Sequence, residues 1–158
     1  MSFDLVIVVQ PRLSNIYVYL SIDLFNMSGT VTDYQWLLLS QADTGTKIHQ
    51  DPAYTSTWNT VITGAKLWAR LPLEVGPNLE PEFTCSTKCS KDKQKDMSLW
   101  SWFSHILPQL EDRKWYGRTP MSFTQGPGDT VYFPPSIPHV VLNSEDTVSV
   151  TEELYPAN

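Results

Sequence analysis

Cysteine is nearly absent: Cys85 and Cys89 are the only two in 158 residues. A disulfide framework is therefore excluded as the source of stability. Their close spacing could supply half of a zinc site, with His105 as a third ligand and no identifiable fourth. Two free thiols in a reducing compartment is the plainer reading. Charge is also scarce, at 18% of residues, and it tilts acidic, with 17 Asp and Glu against 11 Lys and Arg. Phosphate contacts need clustered basic groups, so no direct nucleic-acid partner is expected. A basic protein drawn to an acidic mouth suits the net charge of −6 better. Lys88, Lys91, Lys93 and Lys95 are interrupted by Asp92 and Asp96, which reads as a solvated loop rather than a nuclear-import patch. Long apolar runs are missing too. Leu5 to Val9 follows Asp4 and is too short for a signal peptide's core or a membrane span, so it reads as a strand. The expected location is intracellular, in nucleus or cytoplasm, without membrane association.

What is present is the composition of a folded protein, 41% hydrophobic, and a length that suits one domain over residues 1–158. Strand patterns dominate: Phe3–Val9, Ile16–Ile22, Tyr34–Leu39, Trp58–Ile62, Lys66–Leu71, Thr130–Phe133, His139–Leu142 and Thr147–Thr151. Each is short, β-branched or aromatic, and bounded by turn residues. An all-β sandwich or barrel is the expected class. Thr63-Gly64-Ala65 reads as a tight hairpin, and Gly126-Pro127-Gly128-Asp129 as a stronger turn before the next strand. From residue 72 to 120 the pattern turns polar and irregular, an insert between two strands of one barrel. Within it Trp100, Phe103, Ile106, Leu107 and Leu110 recur at helical spacing after a cap expected at Asp96. Pro108 is expected to end or kink that helix.

The chemistry-bearing residues are few. Residues two apart on an extended backbone share a face, so His49 and Asp51 in Ile48-His49-Gln50-Asp51 can converge on one point. Two histidines and one carboxylate on one side of an iron leave the other positions open. A His-x-Asp pair alone is weak, since a polar surface strand explains it at least as often. The candidate third ligand, His139, opens an apolar strand after Pro134-Pro135-Ser136-Ile137-Pro138, where a satisfied core histidine is the ordinary occupant. His105 sits in the helical stretch and reads as structural. Lys66 shares a strand face with Trp68, and an inward lysine is expensive unless an anion meets it. Snorkelling to solvent is its ordinary alternative. Thr46, Asn59 and Thr151 could add neutral hydrogen bonds.

Taken together these segments resemble a JmjC domain, in the branch containing the lysyl hydroxylase and reported arginine demethylase. Three stretches carry the resemblance: Thr44-Gly45-Thr46-Lys47-Ile48-His49-Gln50-Asp51-Pro52; Thr55-Ser56-Thr57-Trp58-Asn59 through Gly64-Ala65-Lys66-Leu67-Trp68; and Pro127-Gly128-Asp129-Thr130-Val131-Tyr132-Phe133-Pro134 with His139-Val140-Val141-Leu142-Asn143 and Thr147-Val148-Ser149-Val150-Thr151. They follow the family order over residues 36–151, and Trp100 to Pro108 is similar to a helical insert of that branch.

The resemblance implies a double-stranded β-helix, the cupin or jelly-roll barrel, with a short helical insert. It implies His49, Asp51 and His139 as Fe(II) ligands. It also implies Lys66 on the distal carboxylate of 2-oxoglutarate, helped by Thr46, Asn59 and Thr151. Its implied activity is a dioxygenase reaction in which O2 and 2-oxoglutarate yield succinate, carbon dioxide and a hydroxylated C–H. On a side chain the product is an alcohol; on an N-methyl group it collapses to formaldehyde and a demethylated amine. The implied partner is a protein substrate, a histone or another basic protein, with the oligomeric state open.

Departures from the family pattern are specific. Residues 1–35 match weakly, with Asp23-Leu24-Phe25 as an echo of an entry segment and Tyr17 or Tyr19 as candidates for a co-substrate tyrosine. Glu152-Glu153-Leu154 stands where related domains often carry amides, and two carboxylates near an anionic co-substrate are unfavourable unless they point away. The chain stops at Asn158, without the C-terminal helices that mediate dimerisation in related hydroxylases. A minimal domain, a truncated product and one piece of a larger assembly all remain open. The alternatives are a cupin-like binding module or pseudoenzyme, and a small-molecule cupin enzyme, which would have no need of Lys66 and Thr151 as a carboxylate clamp.

Overall fold

The structure is a computed structural model that describes residues 7–9, 35–73, 97–112 and 118–154. Ile16–Ile22, Tyr17, Tyr19, Asp23 to Phe25, Cys85, Cys89 and the Lys88 to Asp96 run lie outside the described residues. Nine strands are described: β1 Ile7–Val9, β2 Gln35–Ser40, β3 Gly45–His49, β4 Ser56–Thr63, β5 Lys66–Arg70, β6 Met121–Gln125, β7 Thr130–Phe133, β8 His139–Asn143 and β9 Thr147–Leu154. They form two antiparallel sheets, one ordered β1-β7-β4-β9-β2 and the other β3-β8-β5-β6. The chain changes sheet at every connection from β2 to β5 and again from β6 to β9. That alternate winding is the expected jelly-roll barrel.

Winding corrects the hairpin expected at Thr63-Gly64-Ala65. β4 and β5 belong to different sheets, so the turn is a crossover rather than a hairpin. Gly64 is needed for two reasons: its φ is +81°, and a Cβ there would stand 2.2 Å from the Asp146 carbonyl oxygen. The Gly126–Asp129 turn is present as expected. Asp129 closes it by accepting from the Gly126 N–H at 2.9 Å, and Gly128 N–H reaches the Val61 carbonyl at 2.8 Å.

Between β5 and β6 the chain builds α1 (Leu99–Ser101), a π-helical turn (Trp102–Ile106) and α2 (Leu107–Glu111). Ser98, not Asp96, is the N-cap, accepting from the Ser101 N–H at 3.2 Å. Pro108 does not stop the helix. The ladder widens just before it, with Leu107 N–H reaching back to Trp102 O, and such a bulge accommodates a residue that cannot donate. Trp102, Phe103, Ile106, Leu107 and Leu110 pack on Ala69, Leu71, Val140 and Leu142. Burial of each large side chain stabilises by about 1.5–3 kcal/mol. Trp100 turns the other way, 43% exposed, and donates its indole N–H to Asp43.

This helical cover explains β8, all five residues of which are buried. Val140 and Leu142 meet the helix, while Val141 joins Trp68, Val131, Phe133 and Ile137 between the sheets. Trp68 from one sheet and Phe133 from the other stack with ring centroids 5.0 Å apart.

Candidate metal and carboxylate site

His49 ends β3 and His139 begins β8, and the two are cross-strand partners. Cross-strand partners share a face, so both rings lie on one side, with centroids 4.2 Å apart. Asp51 follows in extended backbone (φ −62°, ψ 140°) before the turn Pro52–Tyr54. The period-two argument therefore holds across the strand end. The Asp51 Oδ1 lies 3.8 Å from His49 Nε2 and 3.9 Å from His139 Nε2. Among the described residues this is the one group of metal-capable side chains whose ligand atoms gather, all within 4.8 Å.

Each histidine is oriented by its other nitrogen. His49 Nδ1 meets the Lys47 carbonyl at 2.8 Å, and His139 Nδ1 meets the Ile137 carbonyl at 2.9 Å. A carbonyl only accepts, so Nδ1 carries the proton and Nε2 presents a lone pair toward Asp51. Burial pushes His139 down to about 4, with His49 lowering it further and the Ile137 contact opposing. Its ring sits against Phe133 at 4.4 Å and Trp68 at 5.9 Å. Burial raises Asp51 to about 6, while His49 lowers it and the charge of Glu153 raises it. Two imidazole nitrogens around a part-buried carboxylate form a donor set that suits a divalent iron.

Lys66 points inward, 4% exposed, as does Trp68. Desolvation lowers the Lys66 ammonium to about 8. Its cross-strand partners are Asn143 and Gln125, both uncharged, and among the described residues no carboxylate forms an ion pair with it. Asn59 is 4% exposed and its Oδ1 is sealed without a partner. Its Nδ2 reaches Ser149 Oγ at 3.5 Å; a hydroxyl accepts or donates, so one end of the amide is unmatched in either orientation. The residues present thus fit a carboxylate-bearing molecule.

The remaining helpers are placed less uniformly. Thr151 donates to the Trp58 carbonyl at 2.7 Å and lies 3.4 Å from Thr57 Oγ1, so its hydroxyl proton is already engaged. Thr46 pairs with Val141 at the exposed edge strand β3. It stands three positions before His49, which an even strand would put on opposite faces. A register shift between them gives both cross-strand partners on the same side of β8. His105 lies on the exposed helix surface against the Ser101 carbonyl at 3.0 Å, apart from the triad.

One residue escaped the sequence reading, and the orientation of another was left open by it. Gln125, fully buried, accepts from Trp68 Nε1 at 2.8 Å and donates to the Asn59 and Asp129 carbonyls at 2.8 and 2.9 Å. It ties the two sheets together beside Lys66, and a glutamine ending a polar strand gives no signal of that. Glu153 is the other. Glu152 lies on the other face of β9, buried at 6% exposure, and accepts from Trp58 Nε1 at 3.0 Å, whereas Glu153 pairs with Thr57 and its charge acts on Asp51.

Comparison with known proteins agrees with this geometry. A family described as JmjC domain, hydroxylase, matches residues 36–154. The bifunctional arginine demethylase and lysyl-hydroxylase psr-1 of Caenorhabditis briggsae is 33% identical over 75% of this chain and 29% of its own length. The arginine-specific demethylase JMJ22 of Arabidopsis thaliana is 29% identical over 85% of this chain and 26% of its own length. The 2-oxoglutarate and iron-dependent oxygenase JMJD4 of Gallus gallus is 29% identical over 84% of this chain and 30% of its own length. The chain thus spans less than a third of each of these relatives. With the family matched over most of its length and a His-Asp-His group inside a jelly-roll barrel, the chain belongs to the JmjC domain family.

Proposed function

We propose that this domain is an Fe(II)- and 2-oxoglutarate-dependent protein oxygenase, hydroxylating a side chain or removing N-methyl groups from lysine or arginine. The observation that carries this reading is the pairing of two ends in one barrel. At one end His49, Asp51 and His139 bring three ligand atoms together; at the other the buried Lys66 ammonium has no anion among the described residues. Along β5 and β8 the positions opposite His139 and Asn143 are Arg70 and Lys66, four residues or about 13 Å apart on the strand. Lys66, Trp68 and Arg70 share one face of β5, with His139 across from Arg70, so the lysine and the triad open on the same interior.

In this reading His49 and His139 would hold iron through Nε2, and Asp51 would hold it through a carboxylate oxygen. Lys66 neutralises the far carboxylate of 2-oxoglutarate, with Asn59 supplying a hydrogen bond and Thr46 and Thr151 lining the path. Bound iron(II), 2-oxoglutarate and dioxygen supply the oxidising step, which leaves succinate and carbon dioxide. The protein's share is positioning and dryness. The Lys47 and Ile137 carbonyls keep the imidazoles aimed, burial keeps His139 neutral, and Trp68 and Phe133 exclude water from it. The names of the relatives support a protein substrate, and the acidic balance of the chain suits a basic one such as a histone.

The test is an anaerobic titration of the Fe(II)-loaded protein with 2-oxoglutarate, followed by the visible charge-transfer band of the chelate. The band is expected in the wild type and lost in His49→Ala and Lys66→Ala. Iron that binds without any band would point to a small-molecule cupin, and failure to bind iron would point to a binding module or pseudoenzyme.

A further inference from the structure

Glu153 is a carboxylate on the His139 side of the barrel that the proposed chemistry does not use: it pairs with Thr57, Thr57 pairs with Phe133, and Phe133 stacks on His139 at 4.4 Å. Its placement follows from β9. Successive residues of a strand face opposite ways, and Glu152 shares the face of Trp58, its cross-strand partner, where it is buried and accepts from the indole N–H. Glu153 therefore shares the inward face with Thr151 and Ser149. Register agrees: Glu153 pairs with Thr57 and Thr151 with Asn59 on β4, and the Thr57–Thr151 and Asn59–Ser149 side-chain contacts lie on that same inner side. The side chain is half-buried rather than sealed. Among the described residues it makes no ion pair, while its charge acts on Asp51.

A carboxylate beside another carboxylate raises the energy of both. With iron(II) bound, Asp51 and the keto-acid carboxylate of 2-oxoglutarate together would balance the metal's charge, and Lys66 would balance the far carboxylate. Glu153 thus remains an uncompensated negative charge at the metal end of an open site. A cationic group arriving there would relieve the repulsion, whereas a neutral or anionic one would leave it in place.

We propose that Glu153 is a specificity-determining residue that pairs with the positive head of the substrate side chain, so that this domain selects ammonium or guanidinium side chains over neutral isosteres. The inference rests on the oxygenase reading and extends it to one residue. In this role Glu153 holds the cationic head while the carbon to be oxidised faces the metal. Glu153 itself takes no part in the oxidation.

The experiment compares three probes, the N-acetyl methylamides of lysine, arginine and norleucine. Their binding is measured by isothermal titration to the whole chain loaded with Fe(II) and 2-oxoglutarate under anaerobic conditions, for the wild type, Glu153→Gln and Glu153→Asn. The wild type is expected to prefer the two cations over norleucine by at least about tenfold. Both variants should lose that preference while the chelate band persists. A preference that survives in the variants overturns the role of Glu153, and so does its absence in a wild type that shows the band. A wild type without the band overturns the oxygenase reading itself, so the two failures are distinguishable. Two neutral variants guard against one folding poorly, checked by circular dichroism.

Discussion

His49 and His139 are aligned by one device used twice: each donates its Nδ1 proton to the carbonyl two residues before it, Lys47 at 2.8 Å and Ile137 at 2.9 Å. Because the two are cross-strand partners, the repeated contact turns both Nε2 atoms toward Asp51. Metal affinity is therefore built into backbone geometry before any ion arrives.

Asp51 should show opposed effects on stability and binding. Its folded value is raised to about 6 from 3.8, mainly by burial. Folded protein then holds more protons than unfolded chain between those two values, so this group makes the metal-free protein less stable as pH rises through that window. Asp51→Asn should raise the melting temperature of the metal-free protein at neutral pH, by on the order of 2–3 kcal/mol of stability. The same variant should lose iron binding, as should His49→Ala. Differential scanning calorimetry with metal titration checks both; a less stable metal-free Asp51→Asn protein would contradict the desolvation argument.

Lys66 gives a parallel test at the other end. Burial holds it at about 8 against 10.5 unfolded. Unfolded chain binds the extra proton between those values, so metal-free stability from this group rises with pH across the window and is lost as pH falls through 8. Lys66→Met should stabilise the metal-free protein by on the order of 3 kcal/mol yet weaken 2-oxoglutarate binding at least about 100-fold. In the wild type, binding above pH 8 should take up protons, because the arriving carboxylate favours the charged lysine. Calorimetric titrations in buffers of different ionisation enthalpy measure that uptake.

Gln125 should matter more than its neutral side chain suggests. Leucine there would strand Trp68 Nε1 and take a donor from the Asn59 and Asp129 carbonyls, the latter keeping the Val61 N–H. Gln125→Leu is expected to cost about 2–4 kcal/mol, since buried groups left without partners carry the full desolvation penalty. Urea denaturation measures the cost, and near-ultraviolet circular dichroism should report a displaced Trp68.

Gly64→Ala tests the crossover. With φ at +81° and the Asp146 carbonyl oxygen 2.2 Å from an added Cβ, the turn must move. A loss of at least about 2 kcal/mol is expected in thermal unfolding; a neutral outcome would mean that the 145–147 loop yields freely.

Much of the barrel was legible where apolar residues alternate. Thr130–Phe133 coincides with β7, and the strands around Trp58, Lys66, His139 and Thr147 differ from the structure only at their ends. β3 and β6 were not read as strands, because Gly45–His49 and Met121–Gln125 are largely polar and exposed and owe their pairing to β8 and β5. The Gly64 turn was misread for a related reason. Turn chemistry is local and reports a reversal, but which sheet receives the next strand depends on partners far along the chain.

The sequence by itself determined the donor types and their order: a His-x-Asp pair, a lysine next to a tryptophan, and a later histidine. It ended the last strand at Thr151 and left Glu152 and Glu153 as an unresolved acidic pair; the structure continues β9 to Leu154, which puts them on opposite faces. Only the tertiary structure decided which of the two looks inward, that Thr46 and His49 lie on one side of β3, and that His139 stands 4.2 Å from His49. Alternation is a local rule with period two, and a single shift in register inverts its meaning. The register of β9 against β4 and the bulge in β3 are set by the packing of both sheets at once.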